Sequence, residues 1–278
     1  MKQIVGVVGL GLIGGSIARA YKDSGWKVLA YDSNLSITSF AILSGIVDAE
    51  LTTSNMKQCD VLHIAITPKA AMEYLKQNAE YFSKDGLVID DCGTKKQITE
   101  LGFELAKKHN FTYIGGHPMA GNHLSGFKNS RANLFSNASM IIVPPEFDDI
   151  ILLERIKNAV KPMGFKKVVF TTAQDHDRMI AYTSQLAHVV SNALIKSPSA
   201  QEHKGYSAGS FRDLTRVAWL NENMWTELFL ENKEYLLKEV NLLIDNLKEY
   251  AKAIKDENNE YLCNLLRDGR IAKELSDK

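Results

Sequence analysis

Cysteine is scarce in this chain: Cys59, Cys92 and Cys263 are the only three among 278 residues. They are too few and too irregularly spaced for a disulfide framework or a zinc site, so no metal is expected and a reducing cytoplasm fits best. Net charge is lacking as well. The 33 basic and 33 acidic residues cancel, which argues against a long-range field for nucleic acid or an anionic membrane surface. No apolar run approaches the ~20 residues needed to span a bilayer. The opening run Ile4 to Gly14 is dense in glycine and leads into a helical pattern, unlike a signal peptide. What remains is ordinary soluble composition, 45% hydrophobic and 24% charged. The length suits two domains better than one.

The two halves carry different periods. Up to residue 170, short apolar β-branched runs alternate with helical patterns, as parallel βαβ units do. Ile4 to Val8, Lys27 to Tyr31, Val61 to Ile66, Leu87 to Ile89, Thr112 to Ile114 and Met140 to Val143 read as strands. Helices are expected over Ile13 to Lys22, Ala70 to Phe82 and Lys96 to Lys108, with Ile150 to Val160 and Lys166 to Phe170 closing the sheet. The expectation is a doubly wound α/β domain of the Rossmann type over 1–170, followed by an all-α domain over 171–278. Thr172 to Asp175 resembles a capping box that opens a long helix running to about Lys196. Further on, Leu236, Val240, Leu243, Leu247, Tyr250 and Ile254 form a heptad-like stripe, and Leu237, Ile244 and Ala251 a second row. One row packing inside and the other against a second copy would make a homodimer through the C-terminal helices; both rows in one monomeric core is the alternative.

Gly9-Leu10-Gly11-Leu12-Ile13-Gly14 follows the first strand and precedes a helix. In that context the glycine fingerprint binds a dinucleotide: Gly9 for the tight turn, Gly11 for close approach of pyrophosphate, Gly14 for helix packing, with the first helical residues Leu12 and Ile13 offering backbone N–H groups. Asp32, ending the second strand 18 residues beyond Gly14, would accept the ribose hydroxyls and repel a 2′-phosphate, favouring NAD over NADP. Thr67, in Ile66-Thr67-Pro68, is placed along the cofactor channel by position alone.

Ligands of open α/β sheets sit outside the carboxyl ends of the strands. Two loops are expected there. Asp90 to Lys95 carries Thr94, which would meet a substrate hydroxyl, orient His117 or cap the next helix; Cys92 reads as packing rather than nucleophile. Gly115-Gly116-His117-Pro118 carries a histidine able to exchange a proton near neutral pH. On the long helix Ser184, His188, Ser191 and Asn192 share one face with Gln185 beside them, a pocket wall or a solvated face. Arg216, among Leu214, Val217 and Trp219, needs an anion: a substrate carboxylate, or Asp213 in a salt bridge. Cofactor site, proton acceptor and anion clamp together suggest a dehydrogenase of a small carboxylic acid.

The fingerprint, Gly115 to Gly121 with Ser125-Gly126, and Phe211 to Ala218 with Met224-Trp225 resemble the prephenate/arogenate dehydrogenase family over essentially the whole chain. The resemblance implies NAD-dependent oxidative decarboxylation of prephenate to 4-hydroxyphenylpyruvate in tyrosine biosynthesis, or the matching reaction of arogenate. By it, His117 takes the ring hydroxyl proton, Thr94 stands where a serine commonly neighbours that histidine, Arg216 grips a carboxylate and His188 is a pocket histidine. Two departures bear on substrate choice. Asn122-His123 replaces an uncharged and then often acidic pair, and Gln185 stands where some members have histidine. A β-hydroxyacid dehydrogenase would show Lys-x-x-x-Asn on the long helix, where this chain has His188 and Asn192. No regulatory domain is expected after the helices, so product inhibition would act at the active site.

Overall fold

The computed structural model describes residues 3–121 and 124–277. Strands β1 (Ile4–Val8), β2 (Lys27–Tyr31), β3 (Ala49–Glu50), β4 (Val61–Ile64), β5 (Leu87–Asp90), β6 (Thr112–Pro118), β7 (Ser139–Val143) and β8 (Lys167–Phe170) form one sheet. Its order is β3-β2-β1-β4-β5-β6-β7-β8. Every pairing is parallel except β6 with β7. The antiparallel step departs from the parallel expectation. A parallel return needs a crossover helix, and among the described residues between β6 and β7 there is only a short 3₁₀ turn, Phe127–Asn129.

Helices α1 (Leu12–Asp23), α2 (Leu35–Leu43) and α5 (Ile150–Val160) cover one face of the sheet; α3 (Pro68–Asn78) and α4 (Lys96–His109) cover the other. Each face has its own apolar cluster, so the central strands are buried on both sides, which is why they read as unbroken apolar runs. Helix α2 escapes a periodicity reading. Its sequence LSITSFAIL is apolar all round, and its start is set by Asn34, whose side chain accepts from the Ser36 N–H at 3.1 Å.

After β8 the described chain is helical: α6 (Ala173–Ile180), α7 (Ala187–Leu194), α8 (Gly209–Thr215), α9 (Glu222–Glu231), α10 (Lys233–Lys255) and α11 (Asn259–Ser276). The Thr172 hydroxyl caps α6 by accepting from the Asp175 N–H at 3.1 Å. A π-helical stretch, Ala181–Leu186, interrupts the expected single long helix. On α10, Leu236 is buried while Leu237, Ile244, Leu247 and Ile254 are exposed. The first apolar row thus starts inside and ends outside, because a 3.5-residue repeat drifts around a straight 3.6-residue helix. Among the described residues no helix is long and apolar enough to cross a membrane.

Candidate active site

At the carboxyl ends of β1 and β4 the glycine turn is shaped by close contact. Gly9 has φ +87°, and a Cβ on Gly14 would lie 1.8 Å from the Gly9 carbonyl oxygen, so α1 sits directly on the turn. A Cβ on Gly11 would meet nothing within 4 Å. That position therefore faces open space beside the first turn of α1, whose N-cap Gly11 supplies no side-chain acceptor. The N–H groups of Leu12, Ile13 and Gly14 are left for an anion, and the cradle fits a pyrophosphate. Asp32 stands against the same turn: its carboxylate accepts the Leu10 N–H at 2.7 Å and the Asn34 N–H at 2.9 Å. Thr67 is the exposed N-cap of α3, and its side chain makes no capping bond.

The reactive end is built at the β5–α4 turn and β6. Lys95, fully buried, pairs with Asp90, which also accepts from the Tyr113 hydroxyl at 2.6 Å. Thr94 does not cap α4, and its hydroxyl donates to Glu231 at the end of α9. The cap comes from Asp177 of α6, whose two carboxylate oxygens accept the Lys95 N–H at 2.8 Å and the Lys96 N–H at 2.9 Å. Cys92 is buried and its thiol is pushed well up by burial, consistent with packing.

His117 lies within a strand, not in the glycine-lined loop expected from sequence: it pairs with Ile141 across the β6–β7 ladder. The preceding glycines serve packing. A Cβ on Gly115 would meet Thr99 at 2.6 Å, and one on Gly116 the Asp90 carbonyl oxygen at 2.6 Å. Its ring is held by His176, Nδ1 to Nε2 at 2.8 Å, rather than by Thr94. Burial first, then the nearby His176 and Lys95, hold the His117 pKa well below the ordinary histidine value, so the ring is neutral at neutral pH.

On α7, the His188 ring stacks on Trp225 of α9 with centroids 3.8 Å apart, and its Nδ1–H donates to the Ser184 carbonyl at 2.9 Å. Burial, and secondarily the charge of Arg216, depress the His188 pKa. Arg216 opens a single 3₁₀ turn after α8 and is exposed; among the described residues no carboxylate, Asp213 included, forms an ion pair with it. Gln185 corrects the expectation of a substrate contact. It is 1% exposed, with its amide spent on the Leu228 carbonyl and on Asn232 at 2.8 Å. It ties the π-helical stretch to the α9–α10 junction. Asn122 lies outside the described residues.

His176, Asp177 and Glu231 join these side chains and were not anticipated, and Trp225 was read only within a matching segment. No period or spacing in the sequence marked the first two; they are adjacent on α6 and both are buried, which costs free energy unless each polar group is bonded.

A glycine-turn nucleotide fold with a neutral histidine at its strand ends, and within its helical part an arginine that has no ion pair among the described residues, defines a dinucleotide-dependent dehydrogenase. Residues 17–169 match the prephenate dehydrogenase nucleotide-binding domain, and 172–268 the prephenate dehydrogenase dimerization domain. The prephenate dehydrogenase of Lactococcus lactis subsp. cremoris is 32% identical over 286 aligned residues, covering 100% of this chain and 78% of the relative. Prephenate dehydrogenase from A. aeolicus, solved with hydroxyphenyl propionate and NAD+, superimposes with TM-score 0.84 at 28% identity, covering 100% of this chain and 99% of that one. Arogenate dehydrogenase of Synechocystis gives TM-score 0.81 at 26% identity, covering 99% and 100%. The chain belongs to the prephenate dehydrogenase family.

Proposed function

We propose that the protein converts prephenate to 4-hydroxyphenylpyruvate by NAD-dependent oxidative decarboxylation, the dehydrogenase step of tyrosine synthesis. The observation that carries this reading is His117. It is neutral and fixed from behind by His176, and its Nε2 has no partner among the described residues. NAD, held at the glycine turn by the N–H groups of Leu12, Ile13 and Gly14, would supply the hydride acceptor for the ring carbon that bears the hydroxyl. His117 takes the hydroxyl proton at Nε2, loss of carbon dioxide makes the ring aromatic, and His117 returns the proton to the phenolate oxygen. Arg216 grips a substrate carboxylate, with His188 on Trp225 as the adjoining wall. Thr94, its proton given to Glu231, offers oxygen lone pairs to the substrate end of the site. Asp32 selects NAD, and Thr67 borders the cofactor.

The exposed apolar residues Leu237 and Ile244 of the second row of α10, with Leu247 of the first, form the surface through which two copies pair. All three cysteines are free, in keeping with a reducing cytoplasm. Arogenate differs in carrying an amino group where prephenate has a ketone, and the similarity to the Synechocystis enzyme makes it the second candidate. Purified protein with NAD and each acid in turn decides. NADH formed from prephenate supports the proposal, turnover of arogenate alone changes the substrate, and turnover of neither refutes both.

A further inference from the structure

Behind His117 runs a chain of groups with only one consistent arrangement of protons. Asp177 Oδ1 accepts from the Lys95 N–H at 2.8 Å and lies 2.7 Å from His176 Nδ1; Oδ2 accepts from the Lys96 N–H at 2.9 Å. A carboxylate already accepting two backbone N–H groups at a helix N-terminus is an acceptor toward the imidazole too. His176 Nδ1 therefore carries the hydrogen. Burial holds the His176 ring in its neutral form, with Lys95 adding to the effect against the opposing pull of Asp177 and Asp90. A neutral ring has one N–H, so His176 Nε2 is bare and accepts. The 2.8 Å contact to His117 Nδ1 then requires the hydrogen on His117 Nδ1.

We propose that Asp177 and His176 are positioning residues that set the tautomer of His117, placing its lone pair at Nε2. The proposal rests on the role given to His117 above. A solvated histidine would divide between two tautomers. Here His176 and Asp177 are 2% and 3% exposed, so water cannot supply alternative partners. When the hydroxyl proton arrives at His117 Nε2, the Nδ1–H is already bonded to His176, and the new positive charge faces the Asp177 carboxylate through that ring. The same carboxylate caps α4 directly after Thr94, so one group fixes both the histidine and the turn beside it. Asn232 anchors the arrangement from the junction of α9 and α10, its side-chain amide donating to the Asp177 carbonyl at 2.8 Å.

The test pairs nitrogen NMR of histidine-labelled, unliganded protein with steady-state kinetics. In the wild type His117 should show a bare Nε2 and a protonated Nδ1, and His176 the same. In Asp177→Asn the oxygen can stay at the Oδ1 position, facing His176 Nδ1 and the Lys95 N–H, only if the NH₂ turns to the Lys96 N–H. One cap bond and the negative charge behind the two rings are then lost, so kcat should fall about 10–100-fold, the worth of a charged hydrogen bond, with NAD affinity kept. His176→Gln retains an acceptor for the His117 N–H and leaves the Asp177 cap in place; it should turn over faster than His176→Leu. A wild-type His117 protonated at Nε2, or an Asp177→Asn enzyme with unchanged kcat, overturns the proposal. Should Asp177→Asn fail to fold, equal turnover of the two His176 variants overturns it instead. Turnover of neither acid by the wild type would defeat the assigned reaction, while the tautomers would still be read by NMR.

Discussion

The two ends of the site are built on different principles. At the glycine turn the groups proposed to bind are backbone N–H groups within Gly9 to Gly14, and the geometry comes from missing side chains. The proposed reactive end takes side chains from β5–α4, β6, α6, α7, α9 and the turn after α8, separated by more than a hundred residues of sequence. The first is a local motif whose order is set by sterics. The second depends on how the helical part docks, which is done through carboxylates. Asp177 caps α4, Glu227 accepts the Lys69 N–H in the first turn of α3 at 2.7 Å, and Glu231 takes the Thr94 hydroxyl. Acidic groups at helix N-termini are favourable there, so the contacts that join the two parts also shape the site.

The contrast is broken hardest at His117. His117→Ala should cut kcat by ~10²–10⁴-fold, as loss of a general base does, with NADH affinity unchanged in a fluorescence titration; unaltered turnover would remove it from the chemistry. Arg216→Ala should weaken substrate binding by ~1.5–3 kcal/mol, read as a raised KM with cofactor affinity kept. An unchanged KM would leave Arg216 without a substrate role. At the other end, Gly11→Ala separates binding from folding. Its Cβ enters open space, so the melting temperature should hold while NAD affinity drops, by roughly tenfold for each 1.4 kcal/mol lost. Equal affinity would mean that pyrophosphate does not approach there.

Acid should affect the reactive end in a defined direction. The pKa values of His117 and His176 are both lowered from the ordinary 6.5 by burial. The acid limb of kcat/KM should therefore lie below pH 6.5, since His117 keeps its lone pair until its depressed pKa is reached. Stability follows the same sign. Below about pH 6.5 the unfolded chain binds protons that the folded rings refuse, so the melting temperature should fall as pH drops from there toward the folded-state pKa values. A melting temperature flat across that range in the wild type, yet no different in His176→Gln, would mean that these rings are not buried neutral.

Legibility from sequence divides along the same line. Strands β1 and β2 and helix α5 have the expected bounds, and the cofactor turn needed only Gly9, Gly11 and Gly14 in strand–helix context, because each property rests on neighbours in sequence. Helix α2 was hidden because an apolar face all round has no period. The reversed β7 was hidden because strand direction depends on what lies between β6 and β7. His117 was read as a loop residue although it lies in β6, since Gly115-Gly116 reads as flexibility until Thr99 and Asp90 are seen filling the space beside each glycine. Gln185 was misplaced for the opposite reason: an amide on a polar helix face looks available until Leu228 and Asn232 are seen to occupy it.

By itself, the sequence determined the layering of the protein, the dinucleotide turn and the residue types able to handle a proton and a carboxylate, because hydrophobic period and glycine sterics act over a few residues. Tertiary structure alone decided which of those groups meet. That His117 leans on His176, that Asp177 serves a helix of the other part, and that Thr94 answers to Glu231 all follow from burial at a shared junction, where polar groups excluded from water take whichever partners the packing brings within reach.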